Sequence, residues 1–204
     1  IIVDHCDEYE KVPRNYKGEL FLEITTRSFN IKLKQGDSLN QLRLVYNKSE
    51  YLSDNDLMYI NKKKKLIFNS NSCLSNTFDK GIKITVDLEN QKKIIAFRAK
   101  KNTKPIIFSR VNYYKIENYW ISIKYNVSNL TINKNNFYIL KSKEKISIPN
   151  YLAGEMVPYD TGIGDFRAHY AGFFDPGFGD PHGSYAVLEV KTNEIPFILE
   201  DGQT

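Results

Sequence analysis

Two stretches near opposite ends of the chain repeat the same residue pattern in register. Leu22-Glu23-Ile24 corresponds to Leu188-Glu189-Val190, and a glycine follows each glutamate thirteen positions later, at Gly36 and Gly202. The apolar positions that agree between these anchors are Phe29 and Ile195, Ile31 and Phe197, and Leu33 and Leu199. A repeat of this length predicts two copies of one folding unit.

Alternation of apolar and polar residues predicts β-strands along most of the chain. Gly, Pro, Asn and Asp interrupt these stretches at intervals of about 8–12 residues, which is typical of a sandwich or barrel. The predicted strands are Leu20–Ile24, Phe29–Leu33, Leu42–Tyr46, Ile82–Leu88, Ile94–Ala99, Ile106–Phe108, Tyr119–Tyr125, Phe137–Leu140, Phe166–Phe174, Tyr185–Val190 and Phe197–Leu199. One short helical turn is expected in Tyr51–Tyr59, and the polar stretch Asn61–Lys80 is expected to be a linker.

Charge and composition argue against two classes of partner. The net charge is +5 and Lys62–Lys65 form a basic run, but no aromatic residues interleave with the run as a nucleic-acid platform would require, so we interpret it as a solvated linker. No apolar run approaches the roughly 20 residues that span a bilayer. Cys6 and Cys73 lack any disulfide or metal spacing, which favours a reducing, cytoplasmic setting.

Several motifs occur in an order that carries a family resemblance. They are KVPRNYKGELFLEI at 11–24, GIKITVDL at 81–88, ISIPNYLAGEM at 146–156, HYAGFFDPGFG at 169–179 and AVLEV at 186–190. This order resembles the dCTP deaminases, relatives of the trimeric dUTPases, and most closely their long form with two lobes on one chain. The resemblance implies an all-β fold of tandem dUTPase-like lobes (β-clip, or distorted jelly-roll). It also implies a hydrolase that converts dCTP to dUTP and ammonia, which supplies dUTP for dTMP synthesis.

The resemblance also divides the chain. Residues 1–60 would be the C-terminal part of the first lobe, 61–80 the linker, and 81–204 a second lobe truncated at its C-terminus. The Ser and Arg with which the short enzymes contact phosphates are absent from the expected stretch, 158–164. We therefore expect them upstream of Ile1, and the triphosphate-binding tail after Gln203. An internal fragment of this kind is expected to be inactive alone.

Deamination needs a group that takes a proton from water and returns it to the base and the leaving amine. The zinc deaminases use an H-x-E and P-C-x-x-C signature, which this chain lacks, so a carboxylate without zinc would have to serve. Glu189 lies in an apolar strand, where burial would raise its pKa, although a glutamate on the wet face of a strand is the alternative. The resemblance assigns the catalytic role to Glu189. Glu23 is its first-lobe counterpart and lacks the DPGF partner, so a structural role is favoured.

The segment before Glu189 is expected to bind the nucleoside. By resemblance, Ala171, Gly172 and Phe173 pass the base edge, and Asp175 contacts the deoxyribose hydroxyl, although an Asp there could simply cap a turn. Phe178 stands where the family usually has a Trp, and an ordinary core Phe is equally consistent. His169 is interpreted as structural, and no metal ligands are assigned.

The implied partners are small molecules and copies of the chain. Mg²⁺ is expected only as the counterion of the substrate triphosphate, dUTP and dTTP are further candidate ligands, and homo-oligomers with trimer-like packing of lobes are expected. Two alternatives stay open. One is a dUTP pyrophosphatase on the same fold, and the other is a catalytically silent nucleotide-binding module.

Overall fold

The computed structural model describes residues 2–3, 11–44, 51–68, 77–89, 94–124, 129–157, 167–168 (backbone only), 172–192 and 195–204. The helices in these ranges are α1 (Asp54–Lys63) and α2 (Ile116–Tyr119). The strands are β1 (Ile31–Lys32), β2 (Ile67–Phe68), β3 (Ile94–Ala99), β4 (Ile106–Ile107), β5 (Trp120–Lys124), β6 (Asn129–Ile132), β7 (Phe137–Ile146), β8 (Gly154–Glu155), β9 (Arg167–Ala168), β10 (Phe173–Phe174), β11 (Ser184–Lys191) and β12 (Phe197–Glu200).

The main sheet is built around β7. Its strand order is β5-β3-β7-β11-β9, and β2 also pairs with the far end of β7. The longest pairing is the antiparallel one between β7 and β11, which runs from Ser184 opposite Ile146 to Lys191 opposite Phe137. Three two-stranded sheets surround it: β12 with β6, β10 with β8, and a parallel pair of β1 with β4. This architecture confirms the predicted all-β class.

The main core lies on one face of this sheet. In β7 every second side chain is buried, from Tyr138 to Ile146, as the two-residue period of a strand requires. The β6–β12 pair closes over this face. The buried residues of this core are Val86, Leu88, Ile95, Ala96, Leu130, Ile132, Tyr138, Leu140, Leu188, Val190 and Leu199.

A smaller aromatic cluster attaches the segment around Phe29 to the sheet. Phe29 makes edge contacts with Tyr119 and Trp120, whose ring centroids lie 5.4 and 5.1 Å away. Ala99 is buried in the same cluster, and Phe137 packs against it. Because Phe137 and Tyr138 are adjacent in β7, this cluster lies on the face opposite the main core.

Helix α1 is longer than the predicted turn because its ends are well capped. Ser53 and Asp56 form a capping box, two acidic residues occupy the first turn, and Lys62 and Lys63 occupy the last turn, where the helix dipole favours cations. The last turn of α1 and the whole of β2 fall within the stretch predicted to be a linker. Leu66 is buried there. A lobe boundary near residue 80 stays a prediction.

Several predicted strands form, and some do not. The predictions around β3, β4, β5, β7, β11 and β12 are confirmed within a few residues. The stretch Leu20–Ile24 is not a strand, because its described backbone pairing is a single bridge between Ile2 and Phe21. The predicted strand at 82–88 likewise forms only isolated β-bridges within the described residues. Among the described helices, none is long and apolar enough to cross a membrane.

Candidate active site

Glu189 lies in the middle of β11, on the face opposite the main core. Leu188 and Val190 are buried on the core side, whereas Val187 is 54% exposed and Glu189 is half-buried on the other side. The alternation follows from the two-residue period of the strand. The strand thus has one buried face and one partly solvent-exposed face, and the Glu189 carboxylate projects from the partly exposed face.

The neighbours of Glu189 across the sheet are apolar. Ile139 of β7 lies directly opposite Glu189, and Phe97 of β3 lies opposite Ile139. Residues that face each other in this way have Cβ atoms about 4.5–5.5 Å apart. Ile139 therefore lies next to Glu189, and Phe97 lies one strand further away on the same face.

Glu23, the first-lobe counterpart, lies in a different setting. Its segment is irregular and exposed, with Leu22 at 41% and Ile24 at 49%. No strand pairing holds Glu23 among the described residues. The structural or vestigial role expected for it stays a prediction, and the environment around it is unlike that of Glu189.

The DPG motif forms the turn that its sequence predicts. The Phe178 N–H donates to the Asp175 carbonyl at 3.0 Å, and Gly177 has φ +87°, as the third residue of a type II turn requires. The backbone closes this turn, and within the described residues the exposed Asp175 carboxylate makes no hydrogen bond. A capping role therefore does not explain this aspartate.

The turn is fastened to the far end of β7. Gly177 N–H donates to the Ile148 carbonyl at 3.0 Å, and Ile148 N–H donates to the Phe178 carbonyl at 2.8 Å. Gly179 follows with φ +69°, and a Cβ there would lie 2.3 Å from the Ile146 carbonyl oxygen. Only glycine fits at this close approach.

The predicted site residues fall into two groups. Glu189 lies opposite Ile139, whereas the Asp175–Phe178 turn is bonded to Ile148, beyond the other end of β7. The seven steps from Ile139 to Ile146 alone span about 23 Å. The described residues do not bring Asp175 or Phe178 beside Glu189. Ala171 and His169, together with Cys6 and Cys73, lie outside the described residues.

The second group includes the antiparallel β8–β10 pair and an unexpected arginine. Gly172 is buried, its carbonyl accepts from the Met156 N–H at 2.7 Å, and Phe173 of β10 faces Glu155 of β8. Arg43 places its guanidinium carbon 3.7 Å from the centroid of the Phe173 ring. The sequence carries no local signal for this contact, because the two residues are far apart along the chain.

Tyr51 completes this cluster. Its hydroxyl donates to Oε2 of Glu155 at 3.0 Å. That hydrogen bond and the charge of the carboxylate raise the pKa of Tyr51 above its usual 10.0, while the positive charge of Arg43 opposes the shift. Arg43, Tyr51, Glu155 and Phe173 are thus within electrostatic reach of one another.

The cavity at the end of β3 lies apart from both groups of predicted site residues. Its volume is about 380 Å³, and its lining includes none of the predicted site residues. It is lined by Arg98, Ala99, Lys100, Lys101, Ile121 and Asn136. Over the part of the chain that the structure describes, no group of three or more His, Cys, Asp or Glu side chains could hold a metal ion.

Comparison with known proteins supplies the family. The model of the 2′-deoxycytidine 5′-triphosphate deaminase C-terminal domain matches residues 53–204, and the N-terminal domain model matches 1–48. A solved relative is 2′-deoxycytidine 5′-triphosphate deaminase from Agrobacterium tumefaciens, with a TM-score of 0.67 and 34% identity. The match covers 74% of this chain and 45% of that one, so this chain spans less than half of the relative's length. No curated protein matches with significance. The family matches and the shared dUTPase-like all-β fold confirm the resemblance read from the motifs, and the chain belongs to the dCTP deaminase family.

Proposed function

We propose that the protein hydrolyses dCTP to dUTP and ammonia, with Glu189 as the general base and without zinc. One observation carries this proposal: in a chain of the dCTP deaminase family, a half-buried glutamate projects from a strand that is paired on both sides, with Ile139 directly opposite it. General bases in enzymes are often carboxylates.

The reaction needs one group that both accepts and donates protons. Glu189 takes a proton from water as the water oxygen bonds to C4 of cytosine, and it delivers that proton to N3. It then takes the proton of the new C4 hydroxyl and passes it to the amino group. The C4–N bond breaks, ammonia leaves, and the C4 carbonyl of uracil remains. A carboxylate on a rigid strand suits this shuttle because its position is fixed by the backbone on both sides.

The nucleotide contacts form the second part of the proposal. Ala171, Gly172 and Phe173 would pass the base edge, and Asp175 and Phe178 would bind the sugar. Because the Asp175–Phe178 turn lies at the far end of β7, a nucleotide at Glu189 would meet this turn only if another copy of the chain or a further segment brings it close. The expected homo-oligomer with trimer-like packing of lobes is one way to do so. Mg²⁺ would accompany the triphosphate as part of the substrate.

The test follows two products at once. The full-length protein is incubated with dCTP or dUTP and Mg²⁺, with and without the zinc chelator phenanthroline, and ammonia and pyrophosphate are measured. We expect ammonia from dCTP that survives the chelator and disappears in Glu189→Gln. A matched control is Glu200→Gln, which changes an exposed glutamate on the neighbouring segment β12 and should leave the rate unchanged.

The other outcomes point elsewhere. Pyrophosphate from dUTP without ammonia from dCTP would identify a dUTP pyrophosphatase on the same fold. Nucleotide binding without either product, unchanged in Glu189→Gln, would identify a silent binding module. Ammonia that the chelator abolishes would contradict the zinc-free mechanism.

A further inference from the structure

We infer that Arg43 is a positioning residue for the nucleotide: it stacks on Phe173 and holds the antiparallel β8–β10 pair, whose strand β10 leads into the Asp175 turn. This inference rests on the proposed function, because it takes the β8–β10 pair to be part of the nucleotide site. Arg43 belongs to the segment matched by the N-terminal family domain, and Phe173 belongs to the C-terminal one. The contact therefore joins the two domains at the proposed site.

The geometry of the contact is that of a close cation–π stack. The guanidinium carbon of Arg43 lies 3.7 Å from the Phe173 ring centroid, well inside the roughly 6 Å over which a cation is attracted to an aromatic face. Phe173 is half-buried, so this stack is partly shielded from water. Arginine suits the position better than lysine because its planar group can lie flat on the ring.

A second contact holds the other strand of the β8–β10 pair. Tyr51 donates a hydrogen bond to Glu155, and Glu155 is the β8 residue that pairs with Phe173. Arg43 and Tyr51 come from neighbouring parts of the chain: Arg43 lies in the N-terminal family match, and Tyr51 lies between the two matches. Each strand of the pair is thus fastened by a different side chain.

The consequence reaches Asp175 through the backbone. Only Phe174 separates Phe173 from Asp175, and the Phe174 ring packs 4.8 Å from that of Phe178 on the other side of the turn. The Asp175 carboxylate makes no hydrogen bond within the described residues, so its reach depends on where the backbone of β10 and the turn places the Asp175 Cα. Loss of the Arg43 stack would let the β8–β10 pair shift and would weaken nucleotide binding without touching the chemical step.

The experiment is a double-mutant cycle in the full-length protein. Arg43→Ala, Phe173→Leu and the double variant are compared for dCTP dissociation constant, measured in a Glu189→Gln background, and for KM and kcat in the otherwise unchanged enzyme. We expect each single variant to weaken dCTP binding about 2- to 30-fold and to raise KM with little change in kcat. The double variant should bind dCTP no more weakly than the weaker-binding of the two single variants.

Two control variants separate stacking from charge and from general damage. Arg43→Lys keeps the charge and loses the flat stack, so it should bind dCTP as poorly as Arg43→Ala. Arg110→Ala removes a similar arginine, whose guanidinium carbon lies 4.8 Å from the Tyr113 ring centroid, away from the β8–β10 pair. This variant should leave dCTP binding unchanged.

Three results would overturn the inference: additive losses in the cycle, full recovery in Arg43→Lys, or an equal loss in Arg110→Ala. If the protein without these substitutions does not bind dCTP, the proposed function fails. The melting temperatures of the four proteins of the cycle (unsubstituted, Arg43→Ala, Phe173→Leu and the double variant) then decide whether Arg43 holds the β8–β10 pair. Non-additive shifts would support the Arg43–Phe173 coupling, and additive shifts would reject it.

Discussion

The two copies of the internal repeat fold alike at one end and differently at the other. In the second copy, Leu188 is 6% exposed and Val190 is 1% exposed within β11. In the first copy, the corresponding Leu22 and Ile24 are 41% and 49% exposed and belong to no strand. The sequence pattern is the same, and the packing is not.

The turns that end the two copies are closely similar. Asp37 N–H donates to the Lys34 carbonyl at 3.1 Å, and Gln203 N–H donates to the Glu200 carbonyl at 3.2 Å. Gly36 and Gly202 have φ of +90° and +78°. The side chains repeat as well: Asp37 Oδ2 accepts from the Lys34 N–H, and Gln203 Oε1 accepts from the Glu200 N–H.

This comparison separates local from long-range information. A four-residue turn carries its own hydrogen bonds and its own glycine, so it forms wherever its sequence occurs. A strand needs a partner. The second copy has β7 beside β11 and β6 beside β12, whereas the described first copy has the two-residue pairing of β1 with β4 and a single bridge at Phe21.

The largest expected difference between the copies is catalytic. Glu189→Gln should lower kcat for dCTP deamination by about 10²–10⁴-fold, because an amide of the same shape cannot accept the proton. Glu23→Gln should change kcat less than about twofold, since its segment is exposed and irregular. Ammonia release under saturating dCTP measures both. Equal losses in the two variants would assign Glu23 a role in the chemistry and remove the distinction between the copies.

The next difference concerns stability. Leu188→Ala should lower the free energy of unfolding by about 2–5 kcal/mol, because it leaves a cavity in the main core. Leu22→Ala should cost less than about 0.5 kcal/mol at its exposed position. Urea unfolding measures both, and Val187→Ala is the control on β11 itself, since that side chain is 54% exposed. A large loss in Leu22→Ala would show that the first copy is packed in the full-length protein.

The smallest difference concerns the two turns. An alanine held at positive φ by the surrounding structure costs about 1–2 kcal/mol. We expect Gly202→Ala to lower the free energy of unfolding by about that amount, because the Gly202 N–H also donates to the Val86 carbonyl at 2.9 Å and ties the turn to the core. Gly36→Ala should strain only a local, exposed turn and leave global unfolding in urea nearly unchanged.

Asparagine variants provide the control for these turns. Asn tolerates positive φ better than Ala, so Gly202→Asn should recover part of the loss. If both alanine variants destabilise equally, the first turn is as firmly anchored as the second.

Much of the site could be anticipated from local sequence, and its spatial arrangement could not. The DPGF motif predicted a turn, and a type II turn formed. The strand around Glu189 was also predicted, but Ala186, Val187, Leu188 and Val190 are all apolar, so alternation alone does not say which face is buried. Packing of the main core on the Leu188 and Val190 face decides it, and pairing with β7 places Glu189 opposite Ile139.

By itself, the sequence determined the all-β class, the turns with their glycines, and the motif order that identifies the family, because each depends on residues close together in the chain. The tertiary structure alone decided that Leu20–Ile24 forms a single bridge and no strand within the described residues, that Glu189 and the Asp175 turn lie at opposite ends of β7, and that Arg43 stacks on Phe173. Those features join residues distant in sequence. Their energies come from packing and pairing that no local pattern encodes.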